Sequence, residues 1–126
     1  MNTDEMTKTI LIIDDVPANK TFLAFVIKRA GYEVVGVDSG EQACDWLAVH
    51  TPVLVLCDIM LPGMDGIEVL KYMKSLEHQK NVPAIAITAL ALEGDKERLL
   101  AAGFDDYIAK PIYANDLLNT VKRILL

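Results

Sequence analysis

Apolar and polar positions along this chain switch repeatedly between two periods. Lys8–Asp14 (KTILIID) is a short apolar run that ends in acid. Phe22, Leu23, Val26, Ile27 and Ala30 then recur at helical spacing, with Pro17 in the first turn and Gly31 where such a helix stops. Glu33–Asp38 reads as a strand, and Ser39 with Gln42 forms a capping box for a helix carrying Ala43, Leu47 and Ala48. Pro52–Asp58 (PVLVLCD) is a continuous apolar strand, again ending in acid, and Leu61–Gly66 (LPGMDG) is a loop of breakers. Asp65 and Glu68 cap the next helix, whose apolar face is Val69, Leu70, Met73 and Leu76. Pro83–Thr88 is a fourth strand, followed by a weaker helix over roughly 93–102, with Gly94 early in it and Gly103 at its end. Asp105–Ala109 is a fifth strand, and Leu117, Leu118, Val121, Ile124 and Leu125 mark a last helix.

Strand and helix therefore alternate five times. Short apolar strands between helices predict an α/β, doubly wound (βα)5 fold with a parallel sheet covered on both faces. A length of 126 residues suits one domain, and a 52% hydrophobic content excludes disorder. The expected organisation is a single domain over 8–126 behind a flexible N-terminal extension, residues 1–7.

Charge narrows the partners. Twelve Lys and Arg against 18 Asp and Glu leave a net charge of -6, which lacks the basic footprint for direct binding to nucleic acid or an anionic membrane. The longest apolar stretch, around Ala84 to Leu92, is too short to span a bilayer, and Met1 to Lys8 is too polar for a signal peptide. Cys44 and Cys57 have neither metal nor disulfide spacing, which suits a reducing cytoplasm. His50, His78 and Trp46 are read as surface or packing residues.

The polar residues that end the strands carry the chemistry. Asp14 and Asp15 end the first strand, Asp58 the third and Thr88 the fourth, and Lys110 follows the fifth. In an open parallel sheet these positions share one edge, where ligands bind. Each close pair of carboxylates costs about 4 kcal/mol at an effective dielectric near 20, and Lys110 offsets only one charge. A bound cation is therefore expected, and carboxylates with carbonyls and waters suit Mg²⁺. With the cation held, Asp58 could act as a nucleophile toward phosphorus, Lys110 could neutralise phosphoryl oxygens and Thr88 could donate to one of them.

The spacing from Asp14 to Asp58 is 44 residues, from there to Thr88 is 30, and from there to Lys110 is 22. With the stretches IIDD, CDIMLPGMDG, ITA and YIAKPI, the chain resembles the receiver domain of two-component response regulators over residues 8–125. The resemblance implies a flavodoxin-like sheet of order 2-1-3-4-5. It implies that Asp58 is the phosphoacceptor, Asp15 a direct ligand of Mg²⁺ (or Mn²⁺ in its place), Asp14 a ligand through water and Met60 a ligand through its backbone carbonyl. Lys110 and Thr88 would contact the phosphoryl group. Tyr107 would swing inward as Thr88 moves, reshaping the face made by the fourth helix, fifth strand and fifth helix (α4-β5-α5). Pro111 matches a peptide bond that is often cis in the family.

The implied partners are a sensor histidine kinase or histidine phosphotransfer protein on one side, and a downstream protein or fused output domain on the other. A homodimer through the switch face is a further implied arrangement. The domain would assist its own phosphorylation and slow dephosphorylation, yet act as a cytoplasmic signalling module and not as a metabolic enzyme. Met60 and Leu90 stand where the family tunes hydrolysis, and two apolar side chains there predict slow loss of the phosphoryl group. The alternative is a receiver-like interaction module that does not cycle phosphate.

Overall fold

The computed structural model of the chain describes residues 8–89 and 94–126. Within them lie β1 (Thr9–Ile13), α1 (Pro17–Arg29), β2 (Glu33–Val37), α2 (Gly40–Val49), β3 (Leu54–Asp58), α3 (Gly66–Ser75), β4 (Ala84–Thr88), α4 (Asp95–Ala102), β5 (Asp106–Ala109) and α5 (Ala114–Leu125). All five strands pair in parallel in the order β2-β1-β3-β4-β5. The expected (βα)5 sheet is therefore the observed one.

The three central strands are buried on both faces, which explains their unbroken apolar runs. Successive side chains along a strand point to opposite faces. Leu11, Ile13, Val55, Cys57, Ala84 and Ala86 pack with residues of α2, α3 and α4 on one side. Ile10, Ile12, Leu54, Leu56, Ile85 and Ile87 pack with α1 and α5 on the other. Cys57 is thus a core residue, as expected, and burial pushes its thiol pKa, like that of Cys44, upward.

Local signals hold with instructive exceptions. Asp65 and Glu68 make the full reciprocal capping box of α3. Ser39 caps α2 by accepting from the Gln42 amide, but the Gln42 side chain reaches back to the Asp38 amide instead of to Ser39. Gly94 is not inside the fourth helix: its φ of 94° is left-handed, so it stands as the N-cap and α4 begins at Asp95. Asp105 lies outside β5 because its amide and carboxylate both bond the Ala84 backbone. A short 3₁₀ turn over Glu77–Gln79 was not legible in the pattern. It buries Gln79, whose Nε2 donates to the Leu47 and His50 carbonyls at the end of α2.

Candidate functional site

Parallel register sets the site. Ile13 is level with Cys57, Asp58 with Ile87, and Thr88 with Ala109. Asp14, Asp58, Thr88 and Lys110 therefore emerge together at the carboxyl edge of the sheet, just past β1, at the ends of β3 and β4, and just past β5. Asp14, Asp15 and Asp58 can each present a carboxylate oxygen so that all three lie within 4.8 Å of one another. Asp14 and Asp58 are buried, while Asp15 is exposed at the mouth.

Asp58 is held by two donors. Lys110 Nζ donates to Oδ2 at 2.9 Å, and the Met60 amide donates to Oδ1 at 2.9 Å. The second bond folds the chain back over the carboxylate, and Met60 itself is 57% exposed. The loop then closes tightly. A Cβ on Gly66 would stand 2.7 Å from the Asp58 carbonyl oxygen, so the start of α3 can approach β3 only with glycine there.

Asp14 is held differently. Its Oδ1 accepts from the Val16 amide at 2.9 Å, but Oδ2 is buried with no hydrogen-bond partner. Lys110 Nζ lies 3.9 Å from that oxygen, an ion pair without a hydrogen bond. Burial raises the Asp14 pKa. The Val16 amide and Lys110 oppose that rise, and the charges of Asp58 and Asp15 reinforce it. A buried carboxylate oxygen without a donor, beside two more carboxylates and one lysine, has the donor set of a hard divalent cation. The residues present fit such an ion.

Thr88 and Tyr107 occupy the other side of the sheet. Alternation from Ile87, in the α1–α5 layer, turns Thr88 toward the α4 layer, and Tyr107 packs half-buried against that same layer. Lys96 Nζ sits 5.9 Å from the centre of the Tyr107 ring. The Lys110–Pro111 peptide bond is cis. Leu90 lies outside the described residues, as does the expected extension over 1–7.

The chain matches the response regulator receiver domain over residues 10–122. It belongs to that family. Its relatives include the polar-differentiation response regulator DivK of Brucella ovis, 39% identical over 120 residues that span 95% of this chain and 98% of the relative. DivK of Brucella anthropi is 37% identical over the same shares. Among solved structures, the receiver domain of the sensor histidine kinase PA1611 from Pseudomonas aeruginosa is 34% identical, with a TM-score of 0.86, and covers 94% of this chain and 98% of its own. That structure holds a magnesium ion coordinated in its active-site cleft. The chemotaxis regulator CheY4 of Vibrio cholerae, 24% identical with a TM-score of 0.89, shares the fold over 94% of this chain and 99% of its own. This protein is accordingly a phosphoaccepting signalling domain of a two-component system.

Sequence reasoning named Asp14, Asp15, Asp58, Thr88, Met60, Lys110 and Tyr107, and the acidic cluster and Lys110 converge. It missed Val16 and Gly66, whose parts are backbone ones: an amide for Asp14, and room behind Asp58. The ion pair of Lys20 with Asp38 also went unread, because the partners are 18 residues apart.

Proposed function

We propose that Asp58 is the phosphoacceptor of this receiver, a single domain over residues 8–126, and that it takes its phosphoryl group from a histidine kinase or histidine phosphotransfer protein. The convergence of Asp14, Asp15 and Asp58 on one buried edge, with Lys110 bonded to Asp58, supports this reading most directly. A carboxylate oxygen of Asp58 attacks phosphorus, and the P–N bond of the partner's phosphohistidine breaks with its electron pair passing to the imidazole nitrogen. Asp15, Asp58 and the Met60 carbonyl would hold Mg²⁺, with Asp14 acting through water. Mn²⁺ would substitute. Bound there, the ion would supply charge neutralisation for the phosphoryl oxygens.

The remaining work falls to the chain itself. Lys110, already within hydrogen-bond distance of Asp58, would turn to a phosphoryl oxygen. Thr88 would donate to another and draw the end of β4 inward. Tyr107, on the same face of the sheet, would follow, and the α4-β5-α5 surface would change shape. The new charge of about −2 thus biases a two-state equilibrium, and the product is a conformation and not a released metabolite. That surface would engage a downstream protein, an output domain or a second copy. Among the described residues no helix is long and apolar enough to cross a membrane.

Intact-mass spectrometry after incubation with acetyl phosphate tests the reading. One phosphoryl adduct is expected on the wild type with Mg²⁺, and none without Mg²⁺ or on Asp58→Ala. No adduct on a folded protein that binds Mg²⁺ would overturn it in favour of a docking module that does not cycle phosphate.

A further inference from the structure

We infer that Lys20 is a positioning residue for the acidic pair, tying the loop that carries Asp14 and Asp15 to the end of β2 and so setting divalent-cation affinity. This rests on the proposal that the acidic cluster holds such a cation.

The hydrogen bonds around that loop form a closed ring. The Asp14 amide donates to the Val37 carbonyl at 3.2 Å, and the Val16 amide donates to Asp14 Oδ1. The Lys20 amide donates to the Val16 carbonyl at 3.1 Å, and Lys20 Nζ donates to Asp38 Oδ1, one residue beyond Val37. Asp38 is itself fixed, since its amide donates to Gln42 Oε1 at 2.8 Å. Every link but one involves the backbone of the loop or of α1. The Lys20–Asp38 link alone joins two side chains, so it can be cut without removing a cation ligand.

The strand makes room for this strap. A Cβ on Gly36 would lie 3.1 Å from Lys20 Cδ and 3.3 Å from Cγ, so the lysine stem runs directly over β2 at its one residue without a side chain. The stem is thereby sheltered, with the Lys20 side chain 24% exposed against 61% for Asp38. Asp14 Oδ2 has no hydrogen-bond partner to fix it, so the orientation of Asp14 depends on what holds its backbone and Oδ1.

Calorimetric titration of Mg²⁺ into the full chain separates positioning from simple charge. Lys20→Met keeps the stem and removes a cation, so Coulomb's law alone predicts tighter Mg²⁺ binding. Asp38→Asn removes an anion, and charge alone predicts weaker binding. A strap predicts the same sign for both. Both variants should weaken binding by roughly two- to fivefold, bounded by what a part-exposed pair can contribute. The double variant should be no weaker than either single, and Lys20→Arg should restore most of the loss. Thermal midpoints without Mg²⁺ are expected to stay close to wild type.

Tighter or unchanged binding in Lys20→Met would overturn the inference while leaving the cation site standing. Additive losses in the double variant would overturn it as well. A wild type that binds no Mg²⁺ would overturn the parent reading, and this one with it.

Discussion

Lys110 Nζ stands 2.9 Å from Asp58 and 3.9 Å from Asp14, so one ammonium is divided between two buried carboxylates and makes a hydrogen bond to only one. The resting site is therefore short of positive charge. Removing the ammonium leaves both acids facing each other without compensation. Breaking a fully buried pair costs about 3–5 kcal/mol, and the part-exposed Lys110 should cost less, about 2 kcal/mol. Lys110→Met is expected to lower the unfolding free energy in urea by that amount without Mg²⁺. Saturating Mg²⁺ should return much of the loss, because the ion supplies the missing charge. A loss that Mg²⁺ does not lessen would place the defect in packing and not in charge.

Asp14 gives the opposite sign. Its ionised form is penalised by burial, so its pKa lies above the ordinary value in the folded protein. A carboxyl raised in this way stabilises the fold most below its unfolded pKa, and that contribution is lost as pH rises through the folded value. Asp14→Asn keeps an oxygen for the Val16 amide and removes the charge. The variant should be more stable than wild type at pH 7 without Mg²⁺, by about 1 kcal/mol. It should also gain less from added Mg²⁺. Denaturant midpoints measured with and without the ion check both halves.

The acids and Lys110 were legible because strand ends in a parallel sheet share an edge, so spacing along the chain became proximity in space. Asp65 and Glu68 were legible because a capping box is local. Gly94 misled because glycine within a few residues of a helix start reads the same whether it lies inside or caps it; only its positive φ decides. Gln79 and the Lys20–Asp38 strap left no trace because their partners are distant in sequence, and a buried amide or a long cation carries no period of its own.

Gly66 supports Asp58 from behind. Alanine there would press a methyl group to within 2.7 Å of the Asp58 carbonyl and 2.9 Å of Ile59 Cα, and both are backbone atoms that cannot step aside like a side chain. Gly66→Ala should therefore cost about 1–3 kcal/mol of stability. It should also slow phosphorylation by acetyl phosphate beyond what the stability loss explains, because the acceptor strand itself is displaced. Initial rates measured well below the melting transition separate the two effects.

Under the proposed chemistry, Met60 would bear on how long the phosphoryl group stays. Met60 is exposed, two residues past Asp58, and a thioether can neither accept nor donate strongly enough to align a water molecule for attack on phosphorus. By the resemblance to the receiver family, an amide at position 60 and a carboxylate at position 90 would offer the water a partner. The Met60→Asn/Leu90→Glu variant should lose its phosphoryl group roughly tenfold faster, a modest gain beside full general-base catalysis. Release of inorganic phosphate after removal of the donor measures this, and an unchanged lifetime would refute it.

Thr88 and Tyr107 belong to the same face of the sheet, on adjacent strands in register, with Ala86 opposite Tyr107 and Thr88 opposite Ala109. Lys96 sits over the Tyr107 ring, with Nζ 5.9 Å from its centre. If Thr88 is drawn toward a phosphoryl group, space opens beside the tyrosine and its ring can leave Lys96. Thr88→Ala removes the hydroxyl that does the pulling while leaving the acids and Lys110 in place. That variant should still acquire the Mg²⁺-dependent adduct, yet the Tyr107 ring resonances should no longer shift on phosphorylation. In the wild type they should move, and the Lys96 side-chain signals with them. Equal Tyr107 shifts in both proteins would mean that Asp58 reaches the α4-β5-α5 surface by a route that does not pass through Thr88.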